Sequence, residues 1–184
     1  MSFKHIADFS HSSKQVAAGT DHSLVLTQEG KVYAAGNNSN GNLGLGHNYS
    51  SEKFLSVNGL SGLKFMMISA GRHSAALTED NRLFVWGSAF ICERALVLPQ
   101  ELRSNKQIKF ISVGEKSSAI IDEDSHLYTW GTDNNKGQLG VPLSGSSNPN
   151  DINMPQLVES LSFKQVTQVS AGLDFMLALG MDYD

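Results

Sequence analysis

The sequence predicts an all-β fold that repeats one four-stranded antiparallel unit. One segment, marked by a glycine after small or apolar residues, occurs three times in full and begins a fourth time. Each copy divides into short apolar runs separated by turn residues, and no run of ten or more residues follows a helical period. The copies read VAAGTDHSLVLTQEGKVYAAG from Val16, ISAGRHSAALTEDNRLFVWG from Ile68, ISVGEKSSAIIDEDSHLYTWG from Ile111 and VSAGLDFMLAL from Val169.

Each complete unit supplies four predicted strands. In the first copy, three strands lie around residues 16–19, 23–26 and 32–35. Gly30 and Asn81 tolerate positive φ, so a hairpin turn between the second and third strands is natural in the first two copies. A fourth strand ending in leucine follows each unit: FLSVNGL from Phe54, ALVLPQEL from Ala95 and PQLVESL from Pro155.

These strands predict a division of the chain into blades. The residues before the marker glycines are small (Ala18, Ala70, Val113 and Ala171), as the inner strands of a radial array around a narrow axis require. The predicted architecture is a partial β-propeller with three four-stranded antiparallel blades and part of a fourth. The expected segments are a lone outer strand at 3–9, blade 1 at 16–60, blade 2 at 65–102, blade 3 at 108–161 and partial blade 4 at 163–180.

Glycines and tryptophans at equivalent positions form the structural signature of the repeat. Trp86 and Trp130 end a third strand directly before a glycine, and Ala35 holds that place in the first copy. An aromatic stack for a ligand is one interpretation, but packing between blades is favoured because an indole buries a large apolar area. The signature residues are Gly19, Gly36, Gly41, Gly44, Gly71, Trp86, Gly87, Gly114, Trp130, Gly131, Gly137, Gly140 and Gly172.

The glycine-rich stretch GNNSNGNLGLGH, from Gly36, raises the question of a phosphate-binding loop. Its glycines form GxxGxG, which is the reverse of the dinucleotide fingerprint, and no helix follows to hold a phosphate. TDNNKGQLGVPL, from Thr132, occupies the same place in the third copy. We therefore predict a structural link between the third and fourth strands.

Catalytic, metal and cofactor sites are not predicted. His22 and His73 are equivalent and each precedes a serine, but Ser117 and Phe175 hold the same place in the later copies. Such a position suits packing better than catalysis, and no repeated acidic partner completes a triad. The acidic run from Asp122 to Asp124 could suggest a cation site, but its alignment with two other hairpins favours a solvated turn.

Composition excludes several functional classes. The net charge of -4 and the scattered lysines and arginines argue against nucleic-acid binding. The first residues contain no signal-peptide core, and no apolar run is long enough to insert into a membrane. Cys92 is the single cysteine, so an internal disulfide is impossible. We expect a protein of the cytosol or nucleus.

Within a repeat the elements follow one order, with examples VSAG, HSLVLT, LYTWG and NNKGQLG taken from different copies, and this pattern resembles the repeat of the regulator of chromosome condensation family over nearly the whole chain. The second copy lacks the GQLG element and the first lacks the tryptophan. The resemblance implies a seven-bladed β-propeller, of which this chain would form half. It also implies protein binding or regulation, or guanine nucleotide exchange on a Ran-like small GTPase.

An open half-ring leaves apolar blade faces uncovered. The chain could be a fragment of a longer product, a short paralogue that remains an open arc, or one of two copies that associate head to tail. The leading functional hypothesis is a non-enzymatic module that binds a protein partner, and nucleotide exchange on a small GTPase is the alternative. The candidate contact loop is the insertion at 141–154, with Asn148, Asn150 and Asp151.

Overall fold

The computed structural model describes residues 9–88, 95–132, 134–141 and 152–182. In these ranges the chain forms fourteen strands and one single-turn 3₁₀ helix, Glu159–Leu161. The strands are β1 Ser13–Ala18, β2 His22–Thr27, β3 Val32–Gly36, β4 Ser51–Ser56, β5 Phe65–Ala70, β6 His73–Thr78, β7 Leu83–Gly87, β8 Leu96–Leu102, β9 Ile108–Val113, β10 Ser117–Asp122, β11 Leu127–Gly131, β12 Ile152–Leu157, β13 Lys164–Ala171 and β14 Met176–Asp182.

The strands form four antiparallel sheets of four, four, four and two strands, which confirms the predicted all-β, partial β-propeller fold. Strands are ordered along each sheet as they are in the chain: β1–β4, β5–β8, β9–β12 and β13–β14. We call these sheets blades 1 to 4. Of the expected outer strand at 3–9, only Phe9 lies within the described residues, and it belongs to no strand. Its ring packs against Tyr33 and Phe54 of blade 1.

The first strand of each blade lies beside the first strand of the next, so these strands line the axis. The backbone N–H after each marker glycine donates to the marker-glycine carbonyl of the next blade. These bonds run from Thr20 to Gly71 (3.0 Å), from Arg72 to Gly114 (3.1 Å) and from Glu115 to Gly172 (3.1 Å). A Cβ on Gly71 or Gly114 would collide with the next glycine carbonyl, so the close approach requires glycine at both positions.

Three hydrophobic clusters fill the spaces between neighbouring blades. Trp86 lies in the cluster between blades 1 and 2, and Trp130 lies in the cluster between blades 2 and 3. Both indoles are almost fully buried. The tryptophans therefore serve inter-blade packing, which is how an aromatic side chain contributes a large contact area to a core.

The outer face of blade 4 is open. Leu177, Leu179 and Met181 of β14 are 66%, 60% and 58% exposed. The blade 2 equivalents of Leu177 and Leu179, which are Ala75 and Leu77, are buried against blade 3. Within the described residues, no helix is long and apolar enough to cross a membrane.

Candidate protein-interaction surfaces

Two kinds of loop lie at the same end of every complete blade. Because neighbouring strands are antiparallel, the link between the first and second strands and the link between the third and fourth strands lie at one end. In blade 1, the Asn37 N–H donates to the Asp21 carbonyl at 2.8 Å and joins the two links. We call this end of the molecule the loop face.

The glycine-rich stretch of blade 1 is the link between β3 and β4, as the sequence indicates. Gly41, Gly44 and Gly46 all have positive φ, at 76°, 64° and 81°, which explains why glycine occupies these turns. Buried Asn38 holds the link closed: its Oδ1 accepts from the Leu43 N–H at 2.8 Å. Its Nδ2 donates to the carbonyls of His47 (2.6 Å) and Tyr49 (3.1 Å).

Blade 3 repeats this geometry. The buried Asn134 Oδ1 accepts from the Leu139 N–H at 3.0 Å, and its Nδ2 donates to the Val141 carbonyl at 2.9 Å. Gly137 and Gly140 again have positive φ, at 73° and 65°. Both asparagines begin the NxxGxLG pattern of the repeat, three residues before the first glycine of the link, but neither was among the predicted signature residues.

The blade 1 link also anchors blade 2. The Asn42 carbonyl accepts hydrogen bonds from the Trp86 indole Nε1 at 2.8 Å and from the Ser74 hydroxyl at 2.7 Å. Gly44 lies so close to the indole that a Cβ there would be 3.1 Å from its Nε1. The Gly46 N–H donates to the carbonyl of Val97 in β8 at 2.9 Å. The link is therefore an inter-blade clamp.

The serine and histidine at this clamp do not form a catalytic pair. His22 Nε2 and Ser74 Oγ are 2.7 Å apart, but the hydroxyl proton of Ser74 is already donated to the Asn42 carbonyl. His22 Nε2 must therefore be the protonated donor, and it cannot accept the serine proton. Burial lowers the pKa of His22 to about 4, despite the opposing charge of Asp21, and its Nδ1 has no hydrogen-bond partner in the described part of the chain.

Charged side chains cluster where the axial strands reach the loop face. Lys116 Nζ lies 2.6 Å from the Asp174 carboxylate, and Arg72 lies 3.5 Å from Glu115. The Thr20 hydroxyl also donates to the Glu115 carboxylate. These five residues, which we call the axial polar cluster, belong to all four blades and are at least partly exposed.

The acidic turn between β10 and β11 has a structural explanation. Ligand atoms of Asp122, Asp124 and His126 lie within 4.8 Å of one another. The Asp122 carboxylate is buried, however, and it accepts the His126 backbone N–H at 2.8 Å. Ser125 takes a φ of 68° in the turn. This arrangement stabilises a hairpin in the way expected of an aspartate at a turn.

The signature residues predicted from the sequence are brought together along two lines: the marker glycines at the axis, and the glycines and tryptophans at the inter-blade clamps. Their functional importance stays a prediction. The candidate contact residues Asn148, Asn150 and Asp151 lie outside the described residues.

A cleft of about 490 Å³ lies at the opposite end of blade 1, lined by Lys31, Tyr33 and the 56–65 segment. A smaller pocket of about 350 Å³ lies between blades 3 and 4.

Comparisons with known proteins agree with this geometry. Models of the regulator of chromosome condensation (RCC1) repeat match residues 14–42, 29–77 and 124–179. The ultraviolet-B receptor UVR8 of Arabidopsis thaliana is 31% identical over 178 residues, which cover 92% of this chain and 39% of the receptor.

Two solved structures show the same fold. Human WBSCR16 has a TM-score of 0.81 and 26% identity over 96% of this chain and 47% of its own. Prp20p of Saccharomyces cerevisiae, which was studied for its binding to Gsp1p and histones, has a TM-score of 0.78 and 22% identity over 94% of this chain and 44% of its own. The chain thus spans less than half the length of each of these relatives.

Proposed function

Since this chain belongs to the regulator of chromosome condensation (RCC1) repeat family, we propose that it is a non-enzymatic module whose loop face binds another protein. The axial polar cluster is the observation that carries this proposal. It places two cations and two carboxylates, contributed by three blades, on one exposed surface. Complementary charges across such a surface set partner choice and association rate.

The buried polar groups support binding rather than catalysis. The Ser74 hydroxyl and the His22 Nε2 both make structural hydrogen bonds at the inter-blade clamp. Both are also buried, so a substrate could not reach them. Loops that are held rigidly by such hydrogen bonds are suited to binding a partner.

The loop-face proposal can be tested by charge reversal. A chain with Arg72→Glu and Lys116→Glu should lose its protein partners, as measured by quantitative proximity labelling in cells followed by binding assays with the purified partner. A control with Lys31→Glu and Arg103→Glu makes the same change of charge at the opposite end of the blades. Equal partner loss in both variants would argue against the loop face.

Guanine nucleotide exchange on a Ran-like small GTPase is the second candidate function. It is supported by the structural likeness to Prp20p, a protein examined for binding to Gsp1p. Release of a fluorescent guanine nucleotide from purified Ran-type GTPases should accelerate when the chain is added. An unchanged release rate at saturating chain concentration would eliminate exchange and leave the binding proposal standing.

A further inference from the structure

Side chains join the first strands of neighbouring blades by bonding to backbone N–H groups. We call the line along which two such strands meet a seam. At the seam between blades 2 and 3, the Ser69 hydroxyl oxygen accepts from the Val113 N–H at 2.9 Å. The Met67 sulfur accepts from the Ile111 N–H at 3.4 Å. Because a thioether is a weak acceptor, the Met67 contact is the weaker of these two bonds.

The seam between blades 1 and 2 has an amide at the position of Met67. In the repeat alignment, Gln15 of blade 1 corresponds to Met67 of blade 2, and Ile68 corresponds to Ile111 of blade 3. Gln15 Oε1 accepts from the Ile68 N–H at 2.9 Å, and Gln15 Nε2 donates to the Ile68 carbonyl at 2.9 Å. The equivalent backbone N–H therefore meets an amide oxygen at one seam and a sulfur atom at the next. The backbone geometry of the seam accommodates an oxygen acceptor.

Oxidation would give Met67 the kind of acceptor that Gln15 has. Methionine sulfoxide carries a polar oxygen on its third side-chain atom and a methyl group beyond that atom. Glutamine carries its carbonyl oxygen on the same atom and its NH₂ group beyond it. A sulfoxide at Met67 can therefore direct its oxygen to the Ile111 N–H in the way that Gln15 directs its own oxygen to Ile68.

The position of Met67 allows a small oxidant to reach its sulfur. The side chain is only partly buried, and it packs against the hydrophobic cluster between blades 2 and 3. Met66, the preceding residue, is 39% exposed. The Met66 sulfur makes no hydrogen bond to any residue that the structure describes. Met66 is therefore a matched control for oxidation without a contact at the seam.

We propose that Met67 is a site of reversible oxidation by hydroperoxides, and that its sulfoxide strengthens the seam between blades 2 and 3. The sulfur lone pair attacks one oxygen of hydrogen peroxide, and the S–O bond forms as the O–O bond breaks. The other oxygen leaves as water after proton transfer, so the sulfur is oxidised by two electrons and the peroxide is reduced by two. Methionine sulfoxide reductases, which take electrons from thiols, restore the thioether.

This effect is opposite to the usual result of methionine oxidation. A sulfoxide normally disrupts a core because a polar oxygen enters apolar surroundings. At Met67 the oxygen would meet a backbone donor that already points at the sulfur. The strands of this seam, β5 and β9, lead to Arg72 and Glu115 of the axial polar cluster. A stronger seam therefore holds these two charges more firmly, although the inference does not depend on the proposed function.

The first test treats the native chain with hydrogen peroxide and locates the oxidised residues by peptide mass spectrometry. Hydrogen–deuterium exchange, resolved by electron-transfer fragmentation, then measures the Ile111 amide. Its exchange should be at least about threefold slower in the oxidised chain, because an oxygen acceptor replaces a weak one. After the same treatment, Met67→Leu should show no slowing, and Met66→Leu should show as much slowing as the native chain.

A glutamine substitution tests the acceptor without any oxidation. Met67→Gln places at this seam the side chain that Gln15 supplies at the preceding one. Exchange of the Ile111 amide should be at least about threefold slower in Met67→Gln than in Met67→Leu, which has no acceptor. Circular dichroism checks that both variants fold, and the peroxide test on the native chain is decisive if Met67→Gln does not fold.

Unchanged or faster exchange at Ile111 after oxidation of Met67 would overturn the inference. So would a Met67 that stays unoxidised when Met66 is fully converted, or equal slowing in Met67→Leu. These outcomes leave the loop-face proposal intact, since that proposal depends on the charges of Arg72 and Lys116 and is tested without peroxide. Conversely, failure of the charge-reversal test would not change the exchange of the Ile111 amide on oxidation.

Discussion

The indole Nε1 of Trp86 donates a 2.8 Å hydrogen bond to the backbone carbonyl of Asn42, which belongs to the neighbouring blade. The two residues are 44 positions apart in the chain. The equivalent indole, Trp130, is buried, but its Nε1 has no hydrogen-bond partner within the described residues. Judged by their bonds to described residues, the two repeat-equivalent tryptophans therefore have different roles: one indole makes an inter-blade hydrogen bond and the other makes none.

Replacing each tryptophan by phenylalanine should separate these roles. Trp86→Phe loses the hydrogen bond and some contact area, whereas Trp130→Phe loses contact area and removes a buried donor that has no partner among the described residues. We expect Trp86→Phe to reduce the free energy of unfolding by about 1 kcal/mol more than Trp130→Phe. Urea denaturation followed by circular dichroism measures the difference. Equal losses would mean that the Trp86 bond contributes nothing.

Loss of the side-chain amide should destabilise the protein more at Asn38 than at Asn37. In Asn38→Asp a carboxylate would face the carbonyls of His47 and Tyr49, which now accept from the amide Nδ2. We expect a loss of about 2–3 kcal/mol, because buried acceptors would lose their donor. Asn37→Asp is the matched control: exposed Asn37 acts through Oδ1, which accepts from Ser39, and aspartate retains that acceptor. Similar decreases in the free energy of unfolding for the two variants, measured by thermal unfolding, would contradict this prediction.

Stability should fall in mildly acidic solution because of two buried histidines. Burial lowers the pKa of His22 to about 4 and that of His73 to about 3, and for His73 the charges of His22 and Arg72 act in the same direction. An unfolded histidine has a pKa of about 6.5, so the unfolded chain takes up protons first as the pH falls. The free energy of unfolding that these neutral histidines contribute is fully present above about pH 6.5. It is lost as the pH falls toward the folded-state pKa of each histidine, by up to about 1.4 kcal/mol per pH unit.

Urea unfolding at pH 7.5 and at pH 5 measures this loss. The double variant His22→Phe, His73→Phe should have a smaller difference between the two pH values, and phenylalanine already occupies the equivalent position at Phe175. His47→Phe, a substitution at an exposed position, should leave the difference unchanged. An unaltered difference in the double variant would show that other groups cause the acid sensitivity.

The open face of blade 4 should make the isolated chain self-associate. Leu177 and Leu179 are 66% and 60% exposed on a strand whose equivalents are buried. We expect oligomers in light scattering at micromolar concentration, and a monodisperse monomer after Leu177→Lys and Leu179→Lys. Tyr49→Lys removes a large exposed side chain elsewhere, and should leave the oligomers unchanged. A native chain that is already monomeric would contradict the prediction.

Repeat periodicity predicted the sheets and the position of the glycine-rich link, because equivalent residues recur in the same order along each blade. It did not predict that Asn42 would hold Trp86. Alignment identifies which residues are equivalent, but the contact arises from how one blade docks on the next. The roles of Asn38 and Asn134 were also not predicted: the repeat pattern includes both asparagines, but their hydrogen bonds go to backbone groups of the link, which the sequence does not identify.

The axial hydrogen bonds all point the same way along the chain of blades: Thr20 donates to Gly71, Arg72 to Gly114 and Glu115 to Gly172. The row of blades therefore has a polarity, as a filament with distinct plus and minus ends does. A further blade beyond blade 4 can continue the row only if its glycine carbonyl accepts from the Leu173 N–H. A blade before blade 1 can do so only if its N–H donates to the Gly19 carbonyl. A two-fold pairing of two identical ends would set donor against donor or acceptor against acceptor.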